Sequence, residues 1–292
     1  MRTDQDPALY SNLSTISSIG TASYHSAQLI LRHPMHHGLQ ADFSYTFGKS
    51  IDLGSDAERS SGASYNPASN TGYASFSQIL NAFNPKLNKA VSDYDTRHLV
   101  TVNWVYELPF GHAKRFGSNS HGWVESLIGG WQLTGLARVT SGLPFGDQVG
   151  AGWVTSWYYQ SFLVKTGPVK MRKHIIPGSG PEAFDDPDSL QANIGKAGSP
   201  IRFPIPGEAG TRNAFRGDGF FGIDSGLNKT WHVWEKTSLK FAWEIFNVTN
   251  SVRFDVNPNY GLQSVFGSGN FGVYSATLTQ PRIQQFSLRA SF

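Results

Sequence analysis

Three clusters along this chain carry residue types that do chemistry in other proteins, and each fails on spacing or company. His33, His36 and His37 would supply imidazoles to a metal, but Pro34 interrupts them and no carboxylate stands beside them, so they read as a turn. Asp185, Asp186 and Asp188 bring carboxylates together as a calcium loop does. Pro187 intervenes, however, and the spacing departs from the known pattern, which leaves a solvated loop. Gly267, Gly269 and Gly272 spell a nominal dinucleotide fingerprint, yet it follows no buried parallel strand and opens no helix. The chain contains no Cys, which removes thiolate nucleophiles, zinc–thiolate sites and disulfides together. No Gly-x-Ser-x-Gly elbow stands out, and no nucleophile, base and orienting acid assemble. The expectation is a protein that is not an enzyme and uses no cofactor or metal.

A fourth cluster suits binding rather than catalysis. Trp153, Trp157, Tyr158, Tyr159 and Phe162 form an uncharged aromatic group inside a long connection. Flat rings there would stack on a sugar or another planar ligand, or pack against neighbouring loops.

The elements that position these clusters are strands. Charged residues make up 15% of the chain, well under the roughly 25% of a soluble domain, while aromatics reach 13%. That balance suits a surface facing something other than water. No run of about 18 apolar residues exists, so any crossing of a bilayer must be made by strands. Basic residues are scattered, which argues against a nucleic-acid partner.

Period-two alternation recurs in segments of about ten residues, the length of a tilted membrane-crossing strand. Leu39, Ala41, Phe43, Tyr45 and Phe47 point one way, and Gln40, Asp42, Ser44 and Thr46 the other. The pattern returns at 100–108, 131–140, 221–228, 239–246 and 285–292, and a further candidate covers 21–33. The expected fold is all-β: about seven antiparallel strands forming part of a transmembrane β-barrel. Short connections at 34–38, 109–128 and 233–236 alternate with long ones at 49–94, 141–217 and 251–280, as brief periplasmic turns and extended outer loops do. A soluble β-sandwich also alternates, but it places turn signals every 8 to 12 residues. Tyr45, Trp104, Tyr106, Trp131, Trp231 and Trp234 fall near strand ends, where aromatic girdles mark the membrane interfaces.

The alternation assigns Asp42, Asn103, Glu107, Arg138, Asp224, Lys240 and Glu244, with Asn228 and Arg289, to the wet face. Cross-strand charge and amide pairing is their expected role, and a few could line a ligand pathway.

Several segments then resemble the C-terminal barrel half of TonB-dependent transporters of the Oar-like type. They are Ser23-Tyr24-His25-Ser26-Ala27-Gln28-Leu29, Tyr45-Thr46-Phe47-Gly48-Lys49-Ser50-Ile51-Asp52 and Asp95-Thr96-Arg97-His98, the last leading to Glu107-Leu108-Pro109-Phe110-Gly111. After them come Gly129-Gly130-Trp131-Gln132-Leu133, Arg212-Asn213-Ala214-Phe215-Arg216-Gly217, Glu244-Ile245-Phe246-Asn247-Val248-Thr249-Asn250 and Pro281-Arg282-Ile283-Gln284-Gln285-Phe286. Ala242 and Asp218 depart from the pattern, standing where relatives often carry Arg and Pro.

The resemblance implies an outer-membrane protein taking up a scarce ligand with energy from the inner-membrane TonB complex. A barrel of that class has about 22 strands, so seven would need further N-terminal strands and a plug domain. The expected organisation is a loop over 1–18 and a partial barrel over 19–292, read as a fragment or truncated product. Phe286, Leu288, Ala290 and the terminal Phe292 resemble the signal read by the barrel-assembly machinery. The alternatives are a non-transporting outer-membrane adhesin or carbohydrate-binding β-protein, and an outer-membrane hydrolase, which would need a convergent acid–base pair. The cargo is not legible.

Overall fold

The computed structural model describes residues 18–55, 79, 81, 83–147, 149, 154–156, 159–160, 162–172, 178, 180–234, 237–257 and 261–292. Seven long strands make the wall: β1 (Ala22–His36), β2 (Leu39–Asp52), β3 (His98–Glu107), β4 (Trp131–Thr140), β5 (Phe221–Trp234), β6 (Thr237–Phe246) and β7 (Ile283–Ser291). Each pairs antiparallel with its chain neighbour, so the sheet runs β1 to β7 in sequence order, with β1 and β7 at its ends. All seven expected strands are present.

Register turns seven separate alternations into one surface. Leu31 stands opposite Phe43, Phe43 opposite Val102, Val102 opposite Ala137 and Ala137 opposite Ile223. Lower down, Leu39, Tyr106, Leu133, Leu227, Trp243 and Phe286 form a second unbroken row. A one-residue slip at any pair would have sent that strand's apolar set to the opposite face, so the hydrophobic pattern and the hydrogen-bond ladder agree at every joint. On the apolar face the Trp104 indole covers Gly135, where an added Cβ would stand 2.1 Å from the ring. The Trp243 and Phe286 rings stack at 5.7 Å.

Two connections differ from expectation. The turn between β1 and β2 is tighter than 34–38: it is His37 and Gly38, with φ of 50° and 81°, the paired positive values of a two-residue hairpin turn. Pro34 instead lies within β1, beside a register shift between His33 and His36, which an edge strand tolerates because its outer N–H has no partner to lose. The connection after β3 is not a brief turn; it carries helix α1 (Trp123–Ile128).

Two of the long connections depart further. Those at 141–217 and 251–280 fold together above one end of the wall around Phe145, Phe184, Ile201, Phe215, Leu262 and Phe271, all buried. Phe184 stacks on Phe271 at 5.3 Å and meets Phe215 edge-on at 5.3 Å. Short antiparallel pairs knit them, including Phe215 with Phe145 and Ile201 with Lys165. A second helix, α2 (Pro187–Ala192), is capped by the Asp186 side chain, which accepts from Ser189 N–H at 2.9 Å. The aspartates considered for calcium therefore start a helix, and among the described residues no three ligand-type side chains converge on a metal position.

Candidate functional site

The seam between wall and cap is built by the Arg212 to Gly217 segment. Arg212 is buried, and its guanidinium bonds the carboxylates of Asp52, at the top of β2, and Asp93, the latter at 3.0 Å. It also donates to the Asp52 and Asn88 carbonyls at 3.2 and 3.3 Å. Asn213 donates to Asp93 and to the Val91 carbonyl at 2.7 Å. Arg216 bonds the Asp95 carboxylate and donates to the Asp95 and Gly142 carbonyls at 2.9 and 3.0 Å. Asp95 in turn accepts from Ser50 N–H at 2.5 Å. Two motifs that the sequence singled out separately, around Asp95 and Arg212, thus form one ionic clamp. Among the described residues one oxygen of Asp52 and one of Asp93 are left buried without a hydrogen bond, so the network fixes geometry more surely than it adds stability.

Beside the clamp opens a cleft of about 500 Å³. Arg172, Arg216 and Arg253 bring three guanidinium groups to its lining, and Glu182 and Asp218 bring two carboxylates. Arg172 pairs with Glu182 at 2.5 Å and Arg253 with Asp218 at 3.2 Å. Phe254 and Tyr274 stack at 5.1 Å on the same wall. Burial, reinforced by the charge of Asp218, pushes the Tyr274 hydroxyl well above its ordinary value, so it stays a neutral donor. A site of this composition can orient a polar ligand through forked donors and one planar apolar surface. The sequence singled out none of these residues as a cleft, because they come from two separate connections, one before β5 and one before β7.

Two further groups belong to the cap. Asp147 is buried with neither carboxylate oxygen hydrogen-bonded among the described residues, and desolvation raises its pKa well above its ordinary value. Arg202 grips Glu208 with two bonds of 2.8 and 2.9 Å; that hydrogen bonding, helped by Ile205 N–H, brings Glu208 down to about 2.

The aromatic cluster read as either a ligand surface or loop packing lies mostly outside the described residues. Trp153, Trp157 and Tyr158 lie outside the described residues, and Tyr159 is placed only as part of a short strand, Tyr159–Gln160. Phe162 is buried, with its ring against Gly146 and its N–H given to the Ala209 carbonyl, a packing position within the cap.

The seven polar candidates share the face opposite the apolar rows. Asp42 stands opposite Asn103, and Glu244 accepts from Gln285 at 2.5 Å across β6 and β7. Glu107 pairs with Lys114 at 3.0 Å, and Arg138 lies 5.7 Å over the Phe220 ring. Asp224 accepts from Asn247 N–H at 2.8 Å; Asn247, with φ of 52°, ties the strand end to Ser251 and Gln280. Lys240 faces Arg289 directly, a like-charge opposition. Phe286, Leu288 and Ala290 lie on the apolar face of β7, and Phe292 is fully exposed. His33 Nδ1 bonds the Leu39 carbonyl at 3.1 Å, a turn contact, while His36 and His37 meet edge-on at 3.8 Å.

A sheet with one continuous apolar face turned outward, short connections at one end and a folded cap at the other is the wall of a membrane-spanning β-barrel. A model of the family described as the outer membrane beta barrel domain matches residues 2–285, and the chain belongs to that family. Its place is the outer membrane, with the apolar face against lipid. No curated protein and no solved structure matches the chain.

Proposed function

We propose that this chain is the C-terminal barrel portion of a TonB-dependent outer-membrane transporter that takes up a scarce ligand and has no catalytic role of its own. The observation that carries the reading is the run of Oar-like segments along the wall in the family's order. Two of those segments, at Asp95 and at Arg216, supply the two sides of a single half-buried ion pair. The open ends of the sheet support it as well. Among the described residues the outer edges of β1 and β7 are unpaired, and in hydrocarbon such edges call for further strands beside them. Phe286, Leu288, Ala290 and Phe292 then serve as the assembly signal, and Asp42, Asn103, Glu107, Arg138, Asp224, Lys240 and Glu244 face the plug or the water of the lumen.

The test is genetic and uses the gene in its native locus. If transport depends on TonB, deleting the gene and deleting tonB each slow growth under ligand limitation, and the double deletion is no slower than the tonB deletion alone. Additive defects, or a phenotype confined to surface attachment or glycan binding, would replace transport with an adhesin or carbohydrate-binding role.

A further inference from the structure

At the short-connection end of the wall, α1 lies on the lipid side of the sheet. Three donors hold the carbonyls at its C-terminal end. Trp231 Nε1 donates to Ser126 at 2.7 Å, Trp131 Nε1 to Leu127 at 2.8 Å, and Lys229 Nζ to Gly129. Register puts Trp131, Lys229 and Trp231 on the apolar face, in line with Leu133 and Leu227. The helix they hold therefore sits outside the wall, level with its lower edge.

The same contacts explain a lysine on a lipid-facing row. Lys229 is almost wholly buried, and its ammonium lies 5.5 Å from the Trp131 ring centre and 5.3 Å from that of Trp231. Its charge meets two ring faces and the negative end of the helix backbone, a snorkelling arrangement that belongs at a membrane interface.

The outer flank of α1 is apolar. Trp123 and Leu127, one turn apart, are 77% and 62% exposed, which leaves both side chains without protein cover. Glu125, the one acid in 109–130, turns inward and accepts from His112 N–H and Ser120 Oγ, both at 2.5 Å. Arg115 lies over the half-exposed Phe116 ring at 5.5 Å. The exposed flank is thus an indole and a leucine, with Arg115 in the same connection, and it belongs to a helix tied to the apolar face of the wall.

We propose that the 109–130 connection is an interfacial anchor: α1 lies in the headgroup layer of the periplasmic leaflet, with Trp123 and Leu127 among the acyl chains and Arg115 against phospholipid phosphates. A bilayer is the occupant because the helix is held by side chains of a face already in lipid, and an exposed aromatic–aliphatic pair in a connection whose one acid turns inward matches the headgroup boundary. The anchor gives the wall a fixed depth on its inner side.

The chain itself contains no cysteine, so within it a label goes only where one is introduced. Trp123→Cys, Leu127→Cys and, as a reference in the same connection, Ser118→Cys are made in the full-length protein, reconstituted in phospholipid vesicles and spin-labelled. The expected result is a severalfold higher ratio of oxygen to nickel-chelate accessibility at 123 and 127 than at 118. Equal nickel access at all three positions would place α1 in water and overturn the proposal. Shielding from both reagents would overturn it too, by showing a protein cover. Assembly into the vesicles, read from heat-modifiable migration, separates these outcomes from misfolding.

Discussion

The wall and the cap bury the same residue types in opposite directions. In β7, Phe286 and Leu288 are each 66% exposed, whereas Phe184 and Phe271 in the cap are 1% and 2% exposed. The wall keeps its polar groups inward and offers its apolar side chains outward; the cap gathers its phenylalanines inside and shows its polar loops. Hydrophobic burial drives both, but the wall completes its burial with lipid and the cap with protein. The cap is therefore a water-facing domain carried on a membrane-facing support.

Substitutions sharpen that contrast, and the largest effect belongs to the cap core. Phe184→Ala removes a ring that meets Phe145, Phe215 and Phe271, and should cost the cap about 3 to 5 kcal/mol. Hydrogen exchange should then show the cap opening while the β2 to β6 ladder stays protected; equal loss in both would mean that the two regions are one cooperative unit. Arg212→Ala leaves Asp52 and Asp93 buried without their cation. The cost should be about 3 to 5 kcal/mol, with faster proteolysis at the seam, and the paired change of all three to apolar residues should recover much of it.

On the wall, Phe43→Arg should cost roughly 2 to 4 kcal/mol near the bilayer midplane, while Ser44→Arg, one residue on, is tolerated. The readout is membrane assembly of the full-length protein, and equal tolerance at the two positions would reverse the faces. The smallest effect concerns pH. Asp147 binds its proton more tightly in the folded cap than in the unfolded chain. Its contribution is fully present below the ordinary carboxyl value of about 3.9 and is lost as pH rises towards its raised folded value. Asp147→Asn should flatten this loss, so cap protection at neutral pH should exceed that of the native chain. An unchanged pH profile would show that the carboxylate is paired.

These contrasts also explain what could be read from the chain. Strands such as β2 and β3 were legible because a period of two, sustained over ten residues, is written locally, and register merely extends it across the sheet. The edge turn was drawn too wide because Pro34 usually ends a strand, and only the bulge beside it lets β1 continue. Neither helix was expected: each has six residues, less than two turns, too short for a periodic signal. The cap core could not be read at all. Phe145, Phe184, Phe215 and Phe271 are single apolar residues among Gly, Pro and polar neighbours, and nothing local says that they meet. The clamp is the extreme case, since Arg212 reaches an aspartate 160 positions away.

The bulge near the foot of β1 has a last consequence. Pro34 offers no N–H, and the irregularity from His33 to His36 twists that part of the margin out of line. A neighbouring strand can therefore zip onto this border from Ala22 down to His33 and must stop there, whatever polypeptide supplies it. The border sets its own stopping point, and a partner arriving out of step would find its final bonds missing.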